Sequence, residues 1–159
     1  MIVVGVVGRS GSGKTTLVER LVPALAETRR VGTVKSIHHE VELDESGTDT
    51  YRHRIAGAAH VVGVTPTLTA SFRPVGKADG EDVALERALD EFGDDVDVVL
   101  VEGFTDAPLP KIVVGDAGAR AGDAGDAGPG EVLARVADSS AADVDALVER
   151  ILALDGGTH

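Results

Sequence analysis

The 159-residue chain has no cysteine and no tryptophan, and only one methionine, one tyrosine and three phenylalanines. The missing thiols exclude disulfides, thiolate zinc sites and a cysteine nucleophile. No apolar run approaches the roughly 18–20 residues that cross a bilayer, because the opening Met1 to Val7 is cut off by Gly8 and Arg9. A secretory leader has basic residues before its apolar segment and small ones after it, an order this N-terminus does not follow, so a cytosolic protein is expected. Basic residues are scarce as well: 15 Lys and Arg, four of them lysines, face 27 Asp and Glu, for a net charge of −12. Nucleic-acid binding needs a basic face or stripe, so neither nucleic acid nor a membrane is an expected partner. An acidic excess with few aromatics marks either disorder or a salt-adapted surface, and regular apolar periodicity favours the second, in a high-salt cytoplasm. The length fits one domain around one core.

The charge is unevenly spread. Residues 1–40 carry six Lys or Arg against three Asp or Glu, whereas the rest carry nine against twenty-four. Inside that cationic start, residues 8–15 read GRSGSGKT, entered directly from an apolar strand. Strand, glycine loop and helix in that order form a phosphate cradle: the glycines turn successive N–H groups toward one point, Lys14 reaches the terminal phosphates, and the Thr15 hydroxyl takes a place on Mg²⁺. Gly8, Arg9, Ser10, Gly11, Ser12, Gly13, Lys14, Thr15 and Thr16 are the expected nucleotide-binding residues. The next segment, Thr16 to Glu27, is expected to be a helix whose positive end faces the same anion.

Leu17, Val18, Leu21, Val22 and Leu25 give that helix one apolar face, and Pro23 is expected to kink or end it. Val31 to Ile37 reads as a second strand, leading into His38, His39 and Glu40. Thr48 to Ala59 reads as a short helix capped by Thr48 or Asp49. His60 to Thr65 and Thr67 to Phe72, split at Pro66, read as a hairpin that would make the sheet mixed. Leu85, Ala88, Leu89 and Phe92 mark a third helix, Val96 to Val101 a strand buried on both faces, and Lys111 to Val114 a further short strand. Residues 115–130, GDAGARAGDAGDAGPG, contain no bulky apolar side chain and read as a solvated low-complexity loop. Glu131 to Val136 is a last strand, and Val144, Leu147, Val148, Ile151 and Leu152 stripe a closing helix. The alternation predicts a three-layer α/β/α domain, mostly parallel with an antiparallel hairpin, whose ligand lies at the carboxyl ends of the strands.

A phosphate cradle needs an acid at the tip of another strand, to hold Mg²⁺ or its water from the second side. Asp97 and Glu102 flank one strand about 16–17 Å apart, and only Glu102 stands at the carboxyl end. Lys35, His38 and His39 lie at the exit of the second strand, where neighbouring histidines point to opposite faces. Asp49 is either a helix cap or a second-sphere group toward Mg²⁺ or an attacking water. Arg52 and Arg54 are available to a phosphate or carboxylate. Guanine-specific proteins often carry Asn or Thr, Lys, any residue and Asp. The one near match, Gly76 to Asp79, lacks the leading amide and precedes the Val96 strand, so base identity does not follow from motifs.

Four strings together resemble the molybdopterin-guanine dinucleotide biosynthesis protein B (MobB) family: GRSGSGKTTL at 8–17, VGTVKSIHHE at 31–40, GTDTYRHRIAGA at 47–58 and VEGFTDAPLPKI at 101–112. The first is common to many NTP binders; the other three, in that order, are specific. The resemblance implies a P-loop fold, GTP binding with Mg²⁺, weak GTPase activity at most, a homodimer, and cooperation with the guanylyltransferase that joins GMP to the molybdenum-bearing pterin. It places Lys35, His38, His39, Asp49, Glu102 and Lys111 on family motif positions. Thr48 stands where a lysine is common, and the 115–130 loop departs from the family's usual tail. A P-loop kinase for a small metabolite and a nickel-type metallochaperone GTPase are the alternative readings.

Overall fold

The computed structural model describes residues 1–115 and 127–156. The chain forms two compact units, one of Met1–Ser36 with Leu85–His159 and one of Ile37–Ala84. In chain order the elements are β1 (Ile2–Val7), α1 (Lys14–Ala26), β2 (Val31–Lys35), α2 (Asp49–Ile55), β3 (Val61–Val64), β4 (Thr69–Phe72), α3 (Glu81–Asp90), β5 (Val98–Glu102), β6 (Lys111–Val114), β7 (Val132–Val136) and α4 (Val144–Leu152), followed by a 3₁₀ turn at Ala153–Gly156.

The first unit is built on a five-stranded sheet ordered β2-β5-β1-β6-β7, in which every neighbouring pair is parallel. Parallel strands need crossovers that cover both faces, which is why β1 and β5 are nearly continuous runs of Val, Ile and Leu. Ile2, Val4 and Val6 of β1, with Val98, Leu100, Ile112 and Val114, pack against Leu17, Leu21 and Leu25 of α1 and Leu147 and Ile151 of α4. The i, i+4, i+8 spacing of the three α1 leucines puts them on one helix face. On the opposite face Val99 and Val101 are also fully buried, and Val7 and Val113 pack with Ala127. Edge strand β2 is held by close approach: a Cβ on Gly32 would lie 2.7 Å from the Phe92 ring. The amino ends of the strands are tied by Arg30, whose guanidinium pairs with both oxygens of Asp97 at 2.8 and 3.1 Å.

The second unit contains α2 and the antiparallel pair β3–β4, in register from Val61 opposite Phe72 to Val64 opposite Thr69. The hairpin is thus present where expected, but it forms a sheet of its own and leaves the main sheet purely parallel. Thr48, not Asp49, caps α2, accepting from the Tyr51 amide at 3.3 Å, and the helix stops at Ile55 ahead of Gly57, whose φ is 105°. β2 ends at Lys35, so His38 and His39 lie beyond it in irregular backbone. Most of the low-complexity loop, residues 116–126, lies outside the described residues.

Pro23 neither ends nor breaks α1, which continues to Ala26. The proline sits in the last turns, and both it and Glu19, whose carbonyl it leaves unpaired, are exposed, so water takes the bond that the helix loses. Replacing it is expected to restore that bond and remove the ring's clash, partly offset by a freer unfolded chain. Pro23→Ala should therefore raise stability by about 1–2 kcal/mol in chemical denaturation; a lower midpoint would show that the ring supports the helix end.

Candidate functional site

The central strand β1 delivers the phosphate loop to the carboxyl edge of the sheet. Its neighbours leave no room at the exit: a Cβ on Gly8 would lie 2.0 Å from the Val114 carbonyl oxygen, and Gly8 has φ 146°. Gly11 and Gly13 also take left-handed backbone, at φ 76° and 91°. Three such glycines in six residues allow the tight curl of a phosphate-cradling loop, in which the Ser12 amide donates to the Arg9 carbonyl at 3.2 Å. Gly13 is the N-cap of α1 and offers no side-chain cap, and no acid occupies the first helical turn. Sequence thus withholds both usual ways of satisfying a helix N-terminus, leaving free N–H groups and a positive end for an external anion. Lys14 stands at the rim, its ammonium donating to the carbonyls of Gly8 at 2.9 Å and Arg9 at 2.7 Å.

Glu102 closes the site from the second side. It is the last residue of β5, in register with Val6 of β1 and Lys35 of β2, so parallel pairing alone brings three strand ends together. The Thr15 hydroxyl donates to its Oε1 and Oε2 at 3.1 and 3.2 Å, and the Lys35 ammonium pairs with Oε1 at 2.5 Å. Gly103 is required next: its φ is 91°, and a Cβ there would lie 2.7 Å from that of Ser36. A hydroxyl and a carboxylate are hard oxygen donors of the kind Mg²⁺ takes when the remaining ligands are phosphates and water. Among the described residues no group of three or more His, Cys, Asp or Glu forms a metal cage, and the residues present fit a nucleotide-borne Mg²⁺ better than a resident metal ion. Asp97, by contrast, serves the opposite end of the sheet, where the Arg30 guanidinium and amide hold its carboxyl far below the usual carboxylate range.

The other sequence-predicted residues fall into two groups. Lys111 belongs to the first unit but faces inward: it is fully buried, and its ammonium donates to the carbonyls of Thr105 at 2.9 Å and Ala107 at 3.0 Å. Burial pushes its pKa down, against a smaller opposing pull from Asp106. Rather than an outward contact, Lys111 is a clamp on the loop that follows Glu102. In the second unit, Asp49 and Arg52 are exposed and pair with each other at 3.6 Å. Arg54 pairs with Glu42 at 2.6 Å and lies over the Tyr51 ring. His38 and His39 are exposed. Sequence reasoning passed over Asp44, a buried carboxylate that accepts from the Thr48 and Thr50 hydroxyls at 3.3 and 3.1 Å. It also missed the turn after β7, which Arg20 of α1 holds by bonds to the carbonyls of Ser139 and Ala142. Its only signal in the sequence is a basic residue midway along α1, next to the buried Leu21.

Known proteins resemble this chain in sequence and in fold. The sequence model of the family described as molybdopterin guanine dinucleotide synthesis protein B matches residues 3–138. The molybdopterin-guanine dinucleotide biosynthesis adapter protein of Haemophilus influenzae is 38% identical over 112 residues, covering 69% of this chain and 61% of its own length. The Escherichia coli protein of the same description is 37% identical over 107 residues, 66% of this chain and 60% of its own. A Haloferax volcanii protein described as a probable molybdopterin synthase is 33% identical over 146 residues, 92% of this chain and 46% of its own. These matches therefore span about half to three fifths of each relative. Among solved structures, one described as molybdopterin-guanine biosynthesis protein B (mobB) superposes with a TM-score of 0.73 at 29% identity, over 96% of this chain and 98% of that one. A MobB homolog from Bacillus stearothermophilus gives 0.60 at 27%, over 96% and 99%.

The clamp at Lys111 has a measurable consequence. Lys111→Met keeps most of the side-chain volume but removes the ammonium from the Thr105 carbonyl and leaves the Ala107 carbonyl with only the Leu109 amide, which should cost about 1–3 kcal/mol in urea denaturation. A variant as stable as the parent would show that the ammonium's own burial offsets its two bonds.

Proposed function

The chain belongs to the molybdopterin guanine dinucleotide synthesis protein B family, and from that membership we propose that it is a Mg²⁺-dependent GTP-binding adapter of molybdenum cofactor assembly. In this reading it assists the guanylyltransferase that joins GMP to the pterin, acts in the cytoplasm, and hydrolyses GTP weakly if at all. The observation that carries the nucleotide part is the uncapped start of α1, ringed by Gly8, Gly11 and Gly13 with Lys14 at its rim. The N–H groups of the loop would hold the phosphates, Lys14 would neutralise their terminal charge, and Thr15 and Glu102 would hold Mg²⁺. Mg²⁺ would supply charge neutralisation at the phosphate oxygens. Lys35, already paired with Glu102, keeps that carboxylate directed at Thr15. The adapter role rests on the relatives' descriptions together with the specific strings around Lys35, Asp49 and Glu102.

A homodimer is part of the same proposal. In the second unit Val62 and Val64 lie on one face of the β3–β4 hairpin, 52% and 75% exposed, and Leu43, Ile55 and Leu68 are 72%, 63% and 65% exposed. An isolated two-stranded sheet is marginal in water and needs its apolar face covered; a second copy would do so. Val64→Asp is expected to turn a dimer into a monomer in sedimentation equilibrium, whereas an unchanged mass would remove this face from the interface. The acidic surface is read as an adaptation to high salt, and a fold equally stable at low and molar salt would refute that.

The nucleotide site is tested by calorimetry with GTP and ATP, with and without Mg²⁺. GTP binding strengthened by Mg²⁺ is expected, and a clear preference for ATP would favour a kinase. Lys14→Ala should weaken GTP binding by at least about 100-fold with an unchanged melting temperature. Glu102→Gln should lower the Mg²⁺ dependence more than the affinity for Mg²⁺-free GTP; equal loss of both would make Glu102 purely structural.

A further inference from the structure

Glu102 is a buried carboxylate, 8% exposed, at the end of β5 with Val6 of β1 and Lys35 of β2 beside it. A charge so placed must be paired, or it destabilises the fold. Lys35 supplies the pair: its ammonium meets Oε1 at 2.5 Å, and among the described residues this is its one side-chain partner. Thr15 has a single hydroxyl proton, shared between Oε1 and Oε2 at 3.1 and 3.2 Å. Lys14 adds no charge to the pair, since its ammonium donates to the carbonyls of Gly8 and Arg9. Glu102 thus has one counter-charge, and Thr15, Lys35 and Glu102 together sum to zero.

The two partners are held very differently. β2 is an edge strand whose only neighbour is β5, and the Lys35 side chain is 55% exposed against 10% for Glu102. The ammonium therefore reaches the carboxylate from the solvent side and can be displaced without opening the sheet. A hard divalent cation is held by negative charge, and Mg²⁺ takes one or two carboxylates with waters and phosphate oxygens. With Lys35 on Oε1, Thr15 and Glu102 offer such an ion no net charge, and the neighbouring ammonium repels it. A polyphosphate brings the missing negative charge along with the ion and gives the ammonium a second anion to pair with.

We propose that Lys35 makes this site selective for the form in which its cation arrives. By neutralising Glu102 it refuses free divalent ions, and it admits a cation that a polyphosphate carries. The refusal stands on the ion pair alone; the admission rests on the reading of Thr15 and Glu102 as the seat of a nucleotide-borne Mg²⁺. Such a filter matters in a chain with a net charge of −12, whose acidic surface concentrates divalent ions around it.

The test is a Mn²⁺ titration of the full chain without nucleotide, read by electron paramagnetic resonance in about 1 M KCl, where surface charges are screened. The parent should bind Mn²⁺ only weakly. Lys35→Met, and Lys35→Gln, which keeps a donor toward Glu102 without the charge, should each bind one Mn²⁺ at least about 10-fold more tightly than the parent. Lys35→Arg should behave as the parent, and adding Glu102→Gln to Lys35→Met should erase the gain. A lysine that merely braces Glu102 predicts no change in Mn²⁺ binding on substitution. Equal Mn²⁺ affinity of the parent and both neutral variants would overturn the proposal, as would a gain that survives Glu102→Gln. GTP with Mg²⁺, titrated into the parent, separates the two readings. If it does not bind while the neutral variants gain Mn²⁺, the nucleotide reading fails and the refusal of the free ion stands. Binding of GTP without any gain in the variants overturns the role of Lys35 and leaves the nucleotide reading intact.

Discussion

The tight exit of β1 at Gly8 governs the rest of the first unit. Because β1 is the central strand, with β5 and β6 on either side, the chain leaving it must turn within the space between two neighbours. Only a residue without a side chain passes under the Val114 carbonyl there. The turn commits α1 to start at the carboxyl edge, and the three buried leucines of α1 then fix its rotation against the sheet. With the helix so placed, Thr15 meets the end of β5 and Arg20 meets the turn after β7. One backbone constraint thus positions the start of α1, the carboxylate opposite it and the turn after β7.

The polar groups of the site depend on register in a way that tolerates little change. Glu102, Val6 and Lys35 are direct partners across three parallel strands, and a one-residue slip of β5 would send Glu102 to the other face of the sheet. Gly103 protects that register from the far side, since its contact with Ser36 admits no Cβ. Lys111 secures the loop that follows, and Gly128 and Gly130 approach the Thr105 and Leu109 carbonyls too closely for any side chain. The carboxylate is therefore held at both ends of its own segment. Such rigidity suits the proposed role of Glu102 beside a cation held largely by phosphates.

What the sequence disclosed followed from local patterns with one strong interpretation. Apolar strand, glycine loop and helix follow one another where the pattern puts them, and of Glu102 and Asp97 it is Glu102 that lies beside that loop. The rest depended on partners distant in the chain. Pro23 was read from the rule for helix interiors, but the exposed carbonyl of Glu19 has water to bond. Lys111 stood out only as a family motif position, and its inward pairing was not legible because its acceptors, two loop carbonyls, carry no signal in residue identity. The hairpin was legible, but its separation from the main sheet was not, since alternation in β3 and β4 says nothing about which strand lies alongside.

The charge distribution bears on how such a site meets its ligand. A body with a net charge of −12 repels a polyanionic nucleotide at long range, whereas the phosphate loop attracts it only at contact distance. Screening by salt, with a Debye length of about 10 Å at 0.1 M and about 3 Å at 1 M, removes the first effect before the second, because the amides and Lys14 act within hydrogen-bond reach. In the proposed nucleotide-binding role, salt would therefore lower the barrier to encounter while leaving most of the grip intact. The same argument explains why an acidic chain can keep its basic residues few: those near the nucleotide edge, Lys14, Lys35 and Arg20, each make short-range bonds to named partners. On the proposed reading, affinity would be carried by directed contacts rather than by the field of the whole protein.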